Sequence, residues 1–382
     1  MQITSLELKD YRNYLNMNAE FCPGINLFYG ANGQGKTNLI EAIYYLSIGK
    51  AYRPVRDEQL ILWGKEEFRI SAGIENRRGG ARLQASYKKN EKPAKSFFAG
   101  GLRLTKTEEL SGLFTSVLFS PDSISIIKGA PQERRSFLDY DISQISLSYV
   151  RDLNKYKRLL AQRNALLKKF PGYRGGPAEK NAQLELWDRQ LVDCGARLIE
   201  KRLSVMEKLN PLTRLTQRRL TAGQENIELH YIFNKSRRLE ESDCRKTGKI
   251  AEYLWQARER ALEEDLRFGI TQWGPHRDDL EILLNGINLK QFGSQGQQRT
   301  AVLALKLAEL EFFRGESGEY PVLLLDDVLS ELDENRQNQL LTFIQEKAIQ
   351  CFITSTEPAN FSGREKRQSR SFLVIGGKIE KN

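Results

Sequence analysis

The sequence predicts an α/β fold that is interrupted by a helical insertion, and three observations support this prediction. A short apolar strand at 25–29 runs into a glycine-rich turn and then into an amphipathic helix. A second apolar strand, at 322–325, ends in two acidic residues. Between them, residues 131–265 carry heptad-like apolar spacing, which is typical of paired helices. The sequence therefore predicts a head formed by 1–130 and 266–382 around an inserted helical arm, 131–265.

The other predicted elements follow from local patterns. Residues 65–110 alternate short strands with glycine turns, which indicates an antiparallel strand lobe within the head. In the arm, apolar seams run along 149–167 and 184–205, and a helix at 146–169 would be about 36 Å long. Asn285-Gly286 separates two strand-like runs, as in a type I′ hairpin. The remaining predictions are helices at 297–313 and 334–346 and a strand at 351–354.

Composition limits the classes of function. The 382 residues include 59 Lys+Arg and 49 Asp+Glu, so the formal charge is +10, and the pI is about 9.3. The arm has 27 Lys+Arg against 20 Asp+Glu and thus carries most of this excess, which favours a polyanionic partner. No apolar run approaches the roughly 18 residues of a membrane span, and the four cysteines are far apart. We expect a basic, reduced, cytoplasmic protein without a membrane partner.

The strongest motif is the glycine-rich turn. It reads Gly30, Ala31, Asn32, Gly33, Gln34, Gly35, Lys36 and Thr37, a complete G-x-x-x-x-G-K-[ST] pattern. Glycines let successive backbone N–H groups approach a phosphate chain, and the N-terminus of the following helix adds partial positive charge. In such a loop the lysine bridges the β- and γ-phosphates and the hydroxyl binds Mg²⁺. The pattern predicts a nucleoside triphosphate and Mg²⁺, with these roles for Lys36 and Thr37.

A phosphate-binding loop of this kind requires a carboxylate at the end of a buried strand, and the strand at 322–325 supplies two. Asp326 would bind Mg²⁺ through water, together with Thr37. Asp327 is placed to orient or deprotonate the attacking water. Lys36, Asp326 and Asp327 are therefore the predicted catalytic residues, and Thr37 and Asp326 the predicted metal ligands.

A third motif stands at the start of the helix at 297–313, where Ser294, Gly296 and Gln297 occur. By itself this pattern is typical of a helix N-cap. The order of phosphate-binding loop, Ser-x-Gly-Gln helix start, acidic strand end and Ser-Glu-Leu-Asp at 330–333 resembles the head of ATP-binding-cassette ATPases. That resemblance implies that ATP lies between two heads, where Ser294, Gly296 and Gln297 reach the γ-phosphate held by the other subunit.

The same resemblance implies roles for three residues outside these motifs. Asp333 would lie near the facing loop, and Arg12, at the end of the first strand, would contact nucleotide; the alternative for Arg12 is a solvated turn arginine. Thr356 stands where the family has a switch histidine, and its hydroxyl cannot become cationic. Asp327 is shorter than the family's usual glutamate. We expect slow hydrolysis, suited to a switch.

Spacing identifies a branch of that family. Thr37 and Ser294 are separated by 256 residues, enough to insert the arm within one head. This resembles the SMC-like branch of chromosome maintenance and DNA repair rather than transport ATPases. Five further motifs resemble the bacterial recombination mediators of this branch. They are LKDYRNY (8–14), FSPD (119–122), KGAP (128–131), RRSFLD (134–139) and GPHRDD (274–279).

This second resemblance implies partners. They are single- and double-stranded DNA at gaps and junctions, a second copy of the chain in the presence of ATP, and the proteins RecO and RecR, which would be helped to load RecA. The arm, the strand segment 75–106 and the tail from Ser362 are three candidate basic faces for DNA. An SMC-like chromosome-organising ATPase and a transporter-type ATPase subunit remain alternatives. His276 is expected to be a hydrogen-bonded loop histidine rather than a catalytic group.

Overall fold

The computed structural model has two compact units. One is formed by Met1–Ser123 together with Val302–Asn382, and the other by Ile124–Ala301. The predicted arm, 131–265, lies inside the second unit, which also takes in residues on both sides of it. The residues that the structure describes are 1–170, 176–244, 248–358 and 369–381. In that part of the chain, no helix is long and apolar enough to cross a membrane.

Helices and strands are numbered in chain order. The strands are β1 (Gln2–Tyr11), β2 (Tyr14–Glu20), β3 (Ile25–Tyr29), β4 (Glu67–Asn76), β5 (Gly79–Lys88), β6 (Lys95–Ala99), β7 (Leu102–Leu104), β8 (Ser116–Phe119), β9 (Ile227–Phe233), β10 (Arg237–Leu239), β11 (Asp279–Leu284), β12 (Ile287–Asn288), β13 (Val322–Asp326), β14 (Cys351–Ser355), β15 (Ser369–Ile375) and β16 (Lys378–Lys381). The helices are α1 (Lys36–Ile48), α2 (Ser125–Lys128), α3 (Pro131–Ile145), α4 (Leu147–Leu167), α5 (Pro177–Leu220), α6 (Glu241–Cys244), α7 (Lys249–Phe268), α8 (Leu289–Phe292), α9 (Gln295–Ser317) and α10 (Glu334–Glu346).

A six-stranded sheet in the first unit positions the candidate site. Its order is β16-β15-β3-β14-β13-β8, and all neighbours are parallel except the β15–β16 hairpin. Strands β3, β13 and β14 are almost completely buried and consist mostly of apolar residues, as expected of strands covered on both faces. Parallel strands end at the same edge of a sheet. The loop after β3 and the acids after β13 therefore lie at one edge, with β14 between them.

A second sheet of this unit is antiparallel, in the order β2-β1-β4-β5-β6-β7. Strands β4 to β7 lie in the segment where the strand lobe is predicted, but they continue a sheet that begins with β2 and β1. The apolar side of this sheet packs against α1. Tyr11 and Tyr45 both make edge-on ring contacts with Phe68 in this core.

Paired helices dominate the second unit, together with a four-stranded sheet in the order β10-β9-β11-β12. Asp152 of α4 pairs with Arg197 of α5, whereas Arg163, later in α4, pairs with Asp188, earlier in α5. The two helices are therefore antiparallel, as predicted. The 21-residue α4 is close to its predicted bounds, but α5 has 44 residues and is about 66 Å long at 1.5 Å per residue.

Other sequence predictions can be compared directly. The hairpin at Asn285-Gly286 is confirmed, and the two residues have φ of 50° and 79°, as a type I′ turn requires. The helix expected at 297–313 is α9, which is longer at both ends, and α10 has the predicted bounds. The turn at 171–175 that joins the arm helices and residues 362–368 of the basic tail lie outside the described residues.

Candidate functional site

The predicted phosphate-binding loop connects β3 to α1, and its glycines adopt backbone angles that other residues rarely take. Gly30, Gly33 and Gly35 have φ of 142°, 79° and 116°. A Cβ on Gly35 would lie 2.5 Å from Asn13 Nδ2 and 2.9 Å from the Tyr14 hydroxyl. The loop therefore passes so close to its neighbours that position 35 has room only for glycine.

Lys36 is the first residue of α1, and its ammonium group is directed back into the loop. Nζ donates to the carbonyl oxygen of Gly30 at 2.6 Å and to that of Ala31 at 2.9 Å. Burial lowers the pKa of Lys36, and the nearby Asp327 and Asp326 act in the opposite direction. A positive charge is thus held inside the loop, while Ala31 itself faces solvent together with residues 32 and 33.

Asp326 ends β13 and is 3% exposed, and three hydroxyl groups hold its carboxylate. Oδ1 accepts from Thr37 Oγ1 at 2.9 Å and from Thr354 Oγ1 at 2.8 Å. Oδ2 accepts from the Tyr52 hydroxyl at 3.1 Å. Because the Thr37 hydroxyl donates its hydrogen bond to Asp326, the lone pairs of its oxygen remain available to a metal ion. The structure therefore brings the two predicted metal ligands together, and Tyr52 and Thr354 are partners that the sequence reasoning missed.

Asp327 follows directly and is exposed, at the same edge of the sheet. Its φ of 54° places it in the left-handed region, which aspartate tolerates better than most residues. This turn directs the backbone N–H of Asp327 to Thr354 Oγ1, at 2.9 Å. Its carbonyl oxygen accepts from Ser330 Oγ at 3.0 Å. The side chain is accessible to solvent, as a residue that acts on water requires.

Two turns brace the phosphate-binding loop from outside, and neither was recognised from the sequence. Asn13, between β1 and β2, donates through Nδ2 to the carbonyl oxygen of Gln34 at 2.9 Å. In the turn between β15 and β16, Gly376 N donates to Gln34 Oε1 at 2.7 Å and Gly377 N to the Gln34 carbonyl at 3.1 Å. The Tyr14 hydroxyl donates to the carbonyl of the next loop residue at 3.0 Å. The loop is thus held in shape by contacts distant in sequence.

Arg12 is not a solvated turn arginine. Its Nε and one terminal nitrogen donate to the carboxylate of Glu41 at 2.8 and 3.1 Å, and the other terminal nitrogen donates to Gln59 O at 3.3 Å. Glu41 lies on α1 and is 1% exposed, and it also accepts from the Tyr11 hydroxyl at 3.2 Å. This pairing ties the end of β1 to the helix that follows the phosphate-binding loop.

The predicted signature residues lie in the second unit and form a capping box at the start of α9. Ser294 Oγ accepts from Gln297 N at 3.2 Å, and Gln297 Oε1 accepts from Ser294 N at 3.0 Å. Gln297 Nε2 also donates to Glu225 Oε1 at 3.0 Å. Ser294 and Gly296 are exposed, and a Cβ on Gly296 would meet nothing within 4 Å. The start of this helix therefore offers an accessible N-terminus.

Asp333 and Thr356 are both exposed residues of the first unit. Asp333 caps α10: its carboxylate accepts from Arg336 N at 3.0 Å and forms an ion pair with the Arg336 side chain. These contacts lower the pKa of Asp333. Thr356 lies beyond the end of β14, and Thr354, within that strand, is the threonine that contacts Asp326.

The donor set fits Mg²⁺. Within the described ranges, no group of three or more His, Cys, Asp or Glu side chains is arranged to hold a metal ion. Mg²⁺ is usually bound by one or two protein oxygens, while water and substrate phosphates supply the other ligands. The hydroxyl of Thr37 and the carboxylate of Asp326, 2.9 Å apart, are ligands of this type.

Comparison with known proteins agrees with this geometry. The family model described as RecF/RecN/SMC N terminal domain matches residues 2–373. The DNA replication and repair protein RecF of Natranaerobius thermophilus is 40% identical over 100% of this chain and 98% of its own length. That of Clostridium perfringens is 39% identical over the full length of both. The chain belongs to the RecF family.

Solved structures show the same relationship. One described as the recombination mediator protein RecF-ATPrS in the RecFOR pathway has a TM-score of 0.90 at 36% identity and covers 100% of this chain and 98% of its own. The corresponding RecF-ATP structure has a TM-score of 0.88. An Smc head domain derived from Pyrococcus furiosus has a TM-score of 0.54 at 17% identity and shares the fold, an SMC-like head.

Two motifs that pointed to this family are joined to each other in the second unit. Arg134 of the RRSFLD motif donates to both carboxylate oxygens of Asp279 in the GPHRDD motif, at 2.7 and 2.9 Å. Arg135 donates to the carbonyl oxygen of Asp278 at 2.6 Å. These RecF motifs therefore connect α3 to the start of β11 and are structural in this unit.

His276 of the GPHRDD motif is also structural. Its Nδ1 is 2.7 Å from the Tyr156 hydroxyl, and its Nε2 is 3.1 Å from Thr271 O. A carbonyl can only accept, so these partners assign the ring proton to Nε2 and leave Nδ1 as an acceptor. Burial lowers the pKa of His276 to about 4. The imidazole is therefore neutral near pH 7 and links α4 to the segment after α7.

Proposed function

We propose that this chain is a slow, DNA-dependent ATPase of recombinational repair and replication that uses ATP as a switch. The observation that carries the proposal is the contact of 2.9 Å between Thr37 Oγ1 and Asp326 Oδ1, which joins the phosphate-binding loop to the acidic strand end. Membership of the RecF family supports it, because relatives are described as DNA replication and repair proteins and one solved neighbour as RecF-ATP.

The proposed chemistry assigns one task to each residue at the sheet edge. Lys36 exchanges two carbonyl acceptors for phosphate oxygens, and the loop residues 30–35 surround the phosphates with backbone N–H groups. Thr37 and Asp326 hold Mg²⁺, directly and through water. When bound, Mg²⁺ neutralises charge that develops on the transferred phosphoryl group. Asp327, exposed beside them, orients the attacking water and accepts its proton.

We further propose that ATP joins two copies of the chain. Ser294, Gly296 and Gln297 of one copy would reach the γ-phosphate in the loop of the other, since they form an exposed helix N-terminus. Asp333 would lie near the facing loop, and Arg12 and Thr356 would contact nucleotide at its rim. Hydrolysis would remove the bridge. ATP can shift the monomer–dimer equilibrium only by its differential affinity for the dimer.

DNA is the proposed partner of the dimer. The excess of basic residues favours contact with the phosphate backbone at single-strand/double-strand junctions rather than reading of base sequence. RecO and RecR are proposed protein partners, because solved neighbours are described as mediators in the RecFOR pathway. Loading of RecA at gaps and a cytoplasmic, nucleoid-associated location belong to the same proposal.

Analytical ultracentrifugation with ATP, with ADP and without nucleotide tests the switch, each with and without gapped duplex DNA. We expect dimers in the presence of ATP but not with ADP or without nucleotide. The dimers should bind gapped DNA more tightly than monomers do, and their affinity for DNA should fall steeply as the salt concentration rises. Ser294→Arg should abolish the dimer while nucleotide binding persists. Ser148→Arg, at an exposed serine near the start of α4 in the same unit, is the control.

Two results would contradict the proposal. If Ser294→Arg formed dimers with ATP as the wild type does, ATP would not lie against this helix. If the wild-type monomer, saturated with ATP, bound gapped DNA as tightly as any dimer, nucleotide would not act through dimerisation.

A further inference from the structure

Thr354 makes two contacts with one hydroxyl group, and each contact involves a different acid. Its proton is donated to Asp326 Oδ1 at 2.8 Å, and its oxygen accepts from the backbone N–H of Asp327 at 2.9 Å. Thr354 is 1% exposed and lies directly beside Asp326 in the parallel pairing of β14 with β13. One buried hydroxyl thus fixes the carboxylate of the first acid and the backbone of the second.

The hydrogen bonds to Asp326 leave its carboxylate with little freedom. A carboxylate offers about four acceptor sites, two on each oxygen. Thr37 and Thr354 use both sites of Oδ1, and the Tyr52 hydroxyl uses one site of Oδ2. One site on Oδ2 remains. The carboxylate is therefore oriented before any ligand arrives, with a single acceptor direction open.

Asp327 has its own reason to depend on Thr354. With φ of 54° its backbone is in a region that costs free energy for a side chain other than glycine. The hydrogen bond from Asp327 N to Thr354 Oγ1 stabilises that turn, and the turn sets the direction in which the Asp327 side chain leaves the strand.

We propose that Thr354 is a positioning residue for both acids, with Tyr52 as a second support of Asp326. The inference rests on the proposed function, in which Asp326 binds Mg²⁺ through water and Asp327 acts on the attacking water. Thr354 touches neither nucleotide nor water in this role. It sets the orientation of the two side chains that do.

The test separates metal-dependent from metal-independent nucleotide binding. Thr354→Val keeps the shape of the side chain and removes both hydrogen bonds, and Thr354→Ser keeps the hydroxyl. Binding of a fluorescent ATP analogue is measured during Mg²⁺ titration and again in EDTA. For Thr354→Val we expect the Mg²⁺ concentration at half-saturation to rise about 10-fold, since loss of a partner behind a metal ligand typically weakens binding 10- to 100-fold.

Further measurements distinguish positioning from a general structural role. In EDTA, Thr354→Val should bind the analogue as the wild type does, because the loop and Lys36 are intact. At saturating Mg²⁺ we expect its kcat to fall about 10-fold or more while KM for ATP stays within about 2-fold. Thr354→Ser should recover wild-type behaviour. Thr342→Val, at an exposed position on α10, is the matched control. Tyr52→Phe should also raise the Mg²⁺ concentration at half-saturation. This variant replaces Thr354→Val in the test if Thr354→Val does not fold.

The possible failures are distinguishable. A wild-type protein whose nucleotide binding does not respond to Mg²⁺ would refute the proposed function itself. A wild type that responds, with Thr354→Val and Tyr52→Phe titrating as it does, would refute the positioning role and leave the proposed function standing. Equal losses in EDTA and in Mg²⁺ would also refute it, because they would show a collapse of the loop.

Discussion

Two buried carboxylates, one in each unit, are hydrogen-bonded by different kinds of group. Asp188, in the second unit, is fully buried and forms ion pairs with Arg163 at 2.6 Å and Arg258 at 2.7 Å. Asp326, in the first unit, is 3% exposed and is held by three neutral hydroxyl groups. Among the described residues, no cationic side chain lies within ion-pair distance of Asp326.

The difference indicates which carboxylate has a structural role. A guanidinium both hydrogen-bonds a buried carboxylate and neutralises its charge, so the carboxylate needs no further cation. Hydroxyl groups orient the carboxylate but bring no positive charge into contact with it, and the ammonium group of nearby Lys36 donates to two loop carbonyls instead. Such a carboxylate is oriented but has no cation in direct contact, so a bound cation adds an interaction that the fold itself does not supply. Burial alone would have classed Asp188 and Asp326 together.

Removal of a cation from the second unit should have the largest effect. Arg163 is 0% exposed and joins three helices, since it pairs with Asp188 of α5 and Asp265 of α7 from its place in α4. Arg163→Met leaves Asp265 without a cation and weakens the pairing of Asp188. We expect the free energy of unfolding to fall by about 3–5 kcal/mol, the usual cost of breaking a buried ion pair. Denaturant titration followed by circular dichroism measures this loss.

The control for that variant lies on α5, the helix that carries its partner Asp188. Glu185 and Arg189 of α5 form an exposed pair at 2.7 Å, one turn from Asp188. Glu185→Gln should cost less than about 0.5 kcal/mol, because exposed pairs contribute little. If Arg163→Met were as mild as Glu185→Gln, the buried arginine would not be what neutralises Asp188 and Asp265.

Asp326→Asn should show the opposite pattern. It removes a charge that no cation contacts directly and keeps the shape of the side chain, and the surrounding hydroxyls can reorient to an amide. We therefore expect unfolding free energy within about 1 kcal/mol of the wild-type value. Mg²⁺-dependent ATP hydrolysis should fall by about 10²- to 10³-fold, as when a preorganised electrostatic contact is lost. A single-turnover assay measures the hydrolysis rate, and a denaturant titration of the same preparation measures the free energy of unfolding. Loss of stability with activity retained would reverse the assignment of Asp326.

The sequence predicted those elements of the fold and site that depend on residues close together in the chain. The glycine-rich loop, the strand that ends at Asp326 and the bounds of α10 all follow from motifs or periodicity within about 15 residues. The length of α5 was harder to predict, because Pro211 lies inside it and proline usually ends a helix. The apolar seam was recognisable only as far as position 205, and the helix continues to Leu220.

The partners of Asp326 could not be predicted from local pattern. Tyr52 and Thr354 are 274 and 28 residues from Asp326 along the chain, and strand pairing brings Thr354 beside it. The sequence pattern after the strand at 351–354 indicated Thr356, which is exposed in the structure. The pattern does not show which of the two threonines lies beside β13. In the same way, the RRSFLD and GPHRDD motifs indicated the family, but their pairing through Arg134 and Asp279 joins residues 145 positions apart and could not be predicted from either motif.

The smallest expected effect concerns how the second unit responds to pH. Burial lowers the pKa of His276 to about 4, whereas an unfolded histidine has a pKa of about 6.5. Between these values the unfolded state binds a proton that the folded state does not, so stability is complete above pH 6.5 and is lost as pH falls toward 4. His276→Gln removes this titration. We expect the wild type to lose about 3 kcal/mol more than the variant between pH 7 and pH 4.

Denaturant titrations at pH 7, 5.5 and 4 measure that difference. Neighbouring charged groups also affect how stability depends on pH. The positive charges of Arg277, Arg135 and Arg202 add to the lowering of the histidine pKa. Burial raises the pKa of Asp278 to about 6, so its contribution has the opposite sign: it is present below about pH 4 and lost as pH rises through 6. Because both proteins keep Asp278, its contribution cancels in the comparison. Parallel curves for wild type and His276→Gln would mean that the imidazole takes up its proton as readily in the folded state as in the unfolded state, and burial would then not be what keeps this ring neutral.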